Sequence, residues 1–80
     1  VWKNLGVALQ VQGDTDGAIV AYKRAIELNP KDAIAHSTLG AALGAKGDVD
    51  GAITECRRAL ELDPRCAAAH SNLGLALKNK

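Results

Sequence analysis

The chain of 80 residues has very few aromatic side chains: it contains no Phe, one Trp and one Tyr, and it also lacks Met. Its hydrophobic fraction of 48% therefore rests mainly on small or branched aliphatic residues, which suit helices that pack closely. Ten Lys and Arg residues stand against nine Asp and Glu residues, which gives a net charge of +1. This balance excludes the basic surface typical of proteins that bind nucleic acid or anionic membranes.

The sequence also lacks long apolar runs and contains only two cysteines. No run of about 18 apolar residues is present to cross a bilayer, and the first residues lack a signal-peptide pattern. The sequence therefore predicts a soluble, cytoplasmic protein. The two cysteines, Cys56 and Cys66, are too few for a disulfide framework. We expect free thiols, because sites on successive helices seldom bring Cα atoms within the roughly 7 Å that a disulfide needs.

A repeat of 34 residues runs along the whole chain. Such a repeat indicates a solenoid, in which each unit buries its apolar face only against its neighbours. The usual role of a solenoid is to present a surface rather than to catalyse a reaction. The matching positions are Leu5-Gly6, Leu39-Gly40 and Leu73-Gly74; Gly13-Asp14 and Gly47-Asp48; Ala18-Ile19 and Ala52-Ile53; and Pro30 and Pro64.

Each repeat is predicted to contain two helices. Apolar residues at three- and four-residue spacing indicate a first helix that ends at Gly13, and Asp14 or Asp16 is expected to cap the second. The second helix is expected to stop before Asn29 and Pro30, because the residue before proline avoids helical angles. The same plan predicts helices near 32–46 and 49–62, and a fifth helix over 66–79.

Three glycines lie inside predicted helices at the same repeat position: Gly6, Gly40 and Gly74. Each costs about 1 kcal/mol relative to alanine. We therefore expect all three to make room for the close approach of a neighbouring helix.

The repeated motif resembles the tetratricopeptide repeat, whose pattern is Trp-x2-Leu-Gly-x2-Tyr, then Ala-x3-Phe, then Pro. The resemblance covers the whole chain and implies an all-α fold, a right-handed superhelical α-solenoid of antiparallel helix pairs with about five helices. It places repeats at residues 1–32 and 33–66 and a half-repeat, or capping helix, at 67–80. The residues that carry it are Trp2, Leu5, Gly6, Leu9, Ala18, Tyr22 and Pro30, then His36, Leu39, Gly40, Leu43, Ala52, Cys56 and Pro64, then His70, Leu73, Gly74 and Leu77.

Other motifs favour structural readings over chemical ones. The aspartates of 14–17 and 48–51 resemble the start of a calcium loop, but the twelfth position holds Ala25 or Ala59 instead of Glu. His36 and His70 occupy the Trp position and are expected to pack between helices, since no pair of Cys or His has metal-ligand spacing. No nucleophile–base pair or phosphate-binding loop is recognisable. The prediction is a protein without catalysis, metal or cofactor.

In the family that this chain resembles, the first helix of each repeat lines a concave groove that receives peptide segments. The resemblance implies a groove that is mostly small, neutral and mildly apolar. Transferred to this chain, the lining positions are Lys3, Asn4, Val7 and Gln10, then Ile34, Ser37, Thr38 and Ala41, then Ala68, Ser71, Asn72 and Leu75, with Val11, Gly44, Ala45, Lys78 and Asn79 farther along the same helices.

One subgroup of the family binds the terminal carboxylate of chaperone tails through a clamp of Lys, Asn, Asn, Lys and Arg. Only Lys3 matches that clamp here, because Val7, Thr38, Ala68 and Asn72 occupy its other positions. A carboxylate needs charge-assisted donors at fixed geometry. We therefore predict that this chain does not bind chaperone tails in that way.

Another subgroup, the repeat arm of protein O-glycosyltransferases, carries a ladder of Asn residues that holds a peptide backbone. Segment 69–74 is similar to that arm, and Asn4 and Asn72 fit the ladder, whereas Thr38 interrupts it. An amide offers both a donor and an acceptor to a peptide unit. The alternative is that these Asn side chains are simply solvated. Asn72→Ala is expected to weaken peptide binding without unfolding the domain.

The sequence thus predicts a scaffold that binds a peptide or protein partner in its concave groove. The rival hypothesis is a structural or self-associating segment of a longer array, including the substrate-recruiting arm of a larger protein. The chain lacks an initiating Met, begins partway into a repeat and ends after a half-repeat, and neither end is polar as a solenoid cap requires. End-to-end self-association is the expectation of this second hypothesis.

Overall fold

A computed structural model describes residues 2–79, apart from the side chains of Trp2 and Lys3. All regular secondary structure among the described residues is α-helical, and the predicted fold class, a helical solenoid, is confirmed. Consecutive helices pack against each other, and α3 also packs against α5. The helices are α1 (Trp2–Val11), α2 (Thr15–Leu28), α3 (Ala33–Lys46), α4 (Val49–Leu62) and α5 (Ala67–Asn79).

The turn inside each repeat is built by a glycine followed by an aspartate. Gly13 and Gly47 have φ angles of 88° and 100°, in the left-handed region that glycine adopts without steric cost. Asp14 then caps α2, where its Oδ1 accepts a hydrogen bond of 2.9 Å from the backbone N–H of Gly17. Asp48 caps α4 in the same way. Because a cap satisfies N–H groups that lack a partner within the helix, the turn and the helix start are specified together.

The turn between repeats depends on proline and a third capping aspartate. Helix α2 ends at Leu28, and Pro30 stands two residues later, as predicted from the sequence. Asp32 caps α3 by accepting hydrogen bonds from the N–H groups of Ile34 and Ala35, at 3.0 and 3.3 Å. Since these contacts are all local, the helix boundaries follow closely from the sequence.

Two of the three helix-interior glycines bring neighbouring helices together. A Cβ atom added to Gly6 would overlap the ring of Tyr22, and one added to Gly40 would lie 2.8 Å from Cys56 Sγ and 3.1 Å from the carbonyl oxygen of Ala52. Tyr22 and Cys56 are both fully buried, at the same position of successive repeats. The prediction is wrong for Gly74, because none of the described residues beyond its own stretch of α5 places an atom within 4 Å of the corresponding Cβ position.

The core is continuous through α3. Leu39 and Ala42 are buried against α2, and Leu43 packs both against this group and against a second one that joins α4 to α5. A helix that contacts α2, α4 and α5 has little freedom to shift or rotate. The face that α3 turns towards α5 is therefore positioned by contacts with three other helices.

The two histidines differ in their surroundings. His36 is buried, and its ring nitrogens lie 2.9 Å from Glu55 Oε1 and 2.9 Å from the carbonyl oxygen of Pro30, which fixes the ring between α3, α4 and the preceding turn. The expectation that both histidines pack between helices is wrong for His70. Its Nε2 contacts the carbonyl oxygen of Pro64, but the residue is exposed.

Candidate functional site

A cavity of about 290 Å³ lies between α3 and α5, and the start of α4 closes it. The side chains around it are small or apolar except for two amides, and none of them is charged. Several of them belong to the set that the sequence predicted for the groove. The lining residues are Gly40, Ala41, Gly44 and Ala45 from α3, Val49 and Ala52 from α4, and Asn72, Leu75, Ala76 and Asn79 from α5.

The small residues of α3 create this cavity. Gly44 has no side chain, and a Cβ atom added there would meet only the Cβ of Ala52, at the ordinary contact distance of 3.7 Å. Ala45 is also exposed towards the opening. Leu75 forms part of the opposite wall and is 61% exposed, although burying a leucine normally contributes about 1.5–3 kcal/mol. The site therefore keeps apolar surface in contact with solvent.

Asn72 joins the two walls of the cavity. Its Nδ2 donates a hydrogen bond of 3.0 Å to the backbone carbonyl of Ser37, so that α5 is tied to α3. The oxygen of Asn72 and its second N–H are not used in this bond. The expectation for Asn72→Ala changes accordingly, because the substitution removes a contact between helices as well as a groove amide.

Ser37 is a predicted groove residue that the structure buries instead. It is fully buried, and its hydroxyl donates a hydrogen bond of 2.8 Å to the carbonyl oxygen of Ile34 on the same helix. The prediction that Ser37 contacts a peptide in the groove is therefore wrong. The side chain lies on the inward face of α3, and its hydroxyl is satisfied within its own helix, as buried polar groups usually are.

The other predicted positions lie along α1, α3 and α5, the first helix of each repeat. The structure brings Ala41, Asn72 and Leu75 together around the cavity. Gln10 is partly buried, and its Oε1 accepts a hydrogen bond of 3.0 Å from the hydroxyl of Tyr22; Thr38 donates to the carbonyl oxygen of Ile34. The side chain of Lys3 lies outside the described residues. Exposed positions away from the cavity are Asn4, Val7, Ile34, Ala68 and Ser71.

Sequence reasoning missed the floor of the cavity. Val49 and Ala52 belong to α4, whereas the family pattern predicts a lining only from the first helix of each repeat. Gly40 and Ala76 complete the floor. Comparing the two repeats would have indicated the cavity, because Gly44 aligns with Gln10 and the second repeat therefore lacks a side chain that the first one has.

The described residues offer little for catalysis or metal binding. They contain no group of three or more His, Cys, Asp or Glu side chains able to hold a metal ion. Cys56 is a free thiol whose pKa is raised by burial, and then by the neighbouring Glu55 and Cys66, so that it stays protonated at neutral pH. A nucleophilic cysteine needs the opposite shift of its pKa. Within the described part of the chain, no helix is long and apolar enough to cross a membrane.

Comparisons with known proteins agree with the architecture. The family model described as TPR repeat matches residues 6–47 and 43–80. The chain is similar to the TPR2B domain in the pHsp70 complex of yeast Sti1, with 30% identity and a TM-score of 0.90 over 92% of this chain and 59% of that one. It is also similar in fold to the first TPR of Spaghetti (RPAP3), bound to the HSP90 peptide SRMEEVD, with 23% identity and a TM-score of 0.91 over 98% of this chain and 66% of that one.

The chain thus spans about three fifths of the Sti1 structure and two thirds of the Spaghetti structure that it matches. A comparison with curated proteins finds no match. The family model covers well over half of the chain. This protein belongs to the tetratricopeptide-repeat family.

Proposed function

We propose that the protein binds an extended peptide segment of a partner along the surface formed by α1, α3 and α5, without catalysis. The observation that carries the proposal is the uncharged cavity between α3 and α5, where Leu75 remains largely exposed beside the amide of Asn72. Apolar surface next to polar groups that fix orientation is the usual composition of a ligand site. The similarity to the Sti1 domain, which was solved as a complex with pHsp70, supports a peptide as the ligand.

The test is a peptide-display selection against the purified chain, followed by two matched substitutions. Leu75→Lys places a charge beside the cavity, and Leu28→Lys places the same charge at the end of α2, where the leucine is 73% exposed. Selected peptides are expected to lose at least tenfold in affinity for the first variant, because the ammonium group would be desolvated by the bound peptide. Equal affinity for both variants would remove the groove from consideration.

We also propose that this binding does not use a clamp for a terminal carboxylate. Val7, Thr38 and Ala68 bring no charged donor to the clamp positions, and one N–H of Asn72 already donates to the carbonyl of Ser37. A carboxylate held without charge-assisted bonds would lose hydration with little in return. The peptide SRMEEVD is expected to show no saturable binding at micromolar concentration; tight binding that depends on its free terminal carboxylate would contradict this.

The second candidate function is self-association, which one observation favours. On α5, none of the described residues of another helix lies within 4 Å of the Cβ position of Gly74, and Leu77 is 50% exposed, although the same positions of the earlier repeats pack against a following helix. Sedimentation velocity over a wide range of protein concentration separates the two hypotheses. A mass that rises with concentration favours association through α5, and a constant monomer mass leaves the peptide groove as the function.

A further inference from the structure

The cavity between α3 and α5 differs from the rest of the groove because the two repeats differ in side-chain size. Three positions of the second repeat that line it, Ala41, Gly44 and Ala45, align with Val7, Gln10 and Val11 of the first repeat. Each replacement leaves a smaller side chain at a position that lines the cavity in the second repeat. The repeat pattern of helices is thus kept, while one local depression is opened.

From this difference we infer that the cavity is a pocket for one bulky uncharged side chain of the bound peptide, aromatic or branched aliphatic, which sets the sequence preference of the groove. The inference rests on the proposed function, because it names the ligand chemistry of that same site. It differs from sequence-tolerant backbone binding, which would give all peptides similar affinity.

The size of the cavity supports a large side chain. It encloses about 290 Å³. Apolar cavities of about 150 Å³ in other proteins hold a benzene molecule. The space therefore exceeds what Ala or Ser would fill, and it accepts a phenyl ring or a leucine side chain together with part of the adjoining backbone.

The chemistry of the lining excludes a charged side chain. None of the ten lining residues is ionisable, and eight of them have no polar atom in the side chain. An ionised carboxylate or ammonium placed there would lose its hydration without a partner of opposite charge, which is strongly unfavourable. An apolar side chain instead gains about 25 cal/mol for each Å² of surface that it buries.

Two amides are placed to hold the peptide backbone on either side of that side chain. Asn72 and Asn79 are seven residues apart on α5 and line the same cavity, which separates them by about 10 Å along the helix axis. Three residues of an extended peptide also span about 10 Å. One bulky side chain thus enters the pocket while the backbone before and after it meets an amide.

The pocket can be filled without harming the fold, which makes the inference testable. Gly44→Gln restores the residue that the first repeat carries, and Ala45→Val does the same at the next position. A Cβ at position 44 makes only an ordinary contact, and Gln is a better helix former than Gly. Gly44→Gln is therefore expected to melt no lower than the original chain, whereas Ala45→Val gives up a fraction of the helix propensity of alanine.

The probes are blocked peptides of the form acetyl-Gly-Ser-Thr-Xaa-Thr-Ser-Gly-amide, with Phe, Leu, Ala or Asp at the variable position. Binding is followed by NMR, through the backbone amides of Gly40 and Gly44 and the side-chain amide of Asn72. The Phe and Leu peptides are expected to bind at least tenfold more tightly than the Ala and Asp peptides. Gly44→Gln is expected to remove that preference, whereas Val20→Gln, an exposed site on α2, is expected to leave it unchanged.

The outcomes separate this inference from the function on which it rests. If peptides bind and Leu75→Lys weakens them, but all four bind alike or Gly44→Gln has no effect, the pocket is refuted and the groove remains. A preference for the Asp peptide would also refute the pocket. If no display-selected or blocked peptide binds at all, both proposals fail together.

Discussion

Substituting alanine for two glycines at the same repeat position, Gly40 and Gly74, should change stability in opposite directions. Both glycines lie inside helices, so alanine gains about 0.5–1 kcal/mol of helix stability at either site, mainly by restricting the unfolded chain. The surroundings differ, because the added methyl group meets a buried sulfur atom and a backbone oxygen at Gly40 and open space at Gly74. The difference between the variants therefore isolates the packing of one methyl group.

The packing cost at Gly40 follows from its distances. A Cβ atom there would lie 2.8 Å from Cys56 Sγ and 3.1 Å from the carbonyl oxygen of Ala52. Neither atom is free to yield, since Cys56 is fully buried and the oxygen belongs to a helix. Overpacking of this kind typically costs about 1–3 kcal/mol. Gly40→Ala is expected to be less stable than the original chain, and Gly74→Ala more stable by about 0.5–1 kcal/mol.

Thermal unfolding followed by circular dichroism measures the difference. For a domain of this size, 1 kcal/mol shifts Tm by about 4–8 °C, so the two variants should melt at least about 4 °C apart. Gly6→Ala is a further control, because its Cβ would overlap the buried ring of Tyr22 and should also lower Tm. If Gly40→Ala melts at or above Gly74→Ala, the close approach of α3 and α4 argued from the structure is incorrect.

Three further predictions concern the core and a cap. The buried thiol of Cys56 keeps its proton to a higher pH than in the unfolded chain, because burial raises its pKa. The free energy of unfolding is therefore expected to fall as pH rises past the ordinary thiol pKa of about 8.5. Iodoacetamide should modify Cys56 far faster in denaturant than in the native protein, as measured by mass spectrometry. Asp48→Ala removes the acceptor for the N–H of Gly51 and should cost about 1 kcal/mol in urea unfolding, whereas an unchanged midpoint would show that the cap is not needed. Tyr22→Phe removes the hydroxyl that donates to Gln10 Oε1 and should cost about 0.5–1.5 kcal/mol; a loss several times larger would mean that the ring itself moves.

The helices and their ends were predictable because the forces that set them are local. A left-handed glycine, an aspartate three residues before the N–H that it accepts from, and a proline after the helix end all act within one turn of chain. The repeat then fixes which helices are neighbours. For these reasons α2, α3 and α4 begin and end close to where the sequence predicts, and Tyr22 and Cys56 are buried at matching positions.

The site was less predictable, because the exposure of a side chain depends on the orientation in which its helix packs about its own axis. Ser37 and Thr38 are adjacent on α3, and the family pattern places both in the groove, yet only Thr38 is accessible. Gly74 matches Gly6 and Gly40 in the sequence but meets no neighbour. The side chain of Asn72 was expected to face a ligand, and the structure shows that part of its bonding capacity is used between helices.

The sequence by itself thus determined the repeat, the order of helices and the capping turns, since each depends on residues close together in the chain or on the 34-residue period. Only the tertiary structure decided that three small residues of α3 face Leu75 across an open cavity that α4 closes from below. The physical reason is that a cavity is a property of the distance between packed helices. That distance is set by glycine contacts and by buried side chains on neighbouring helices, which the sequence pattern of one helix does not encode.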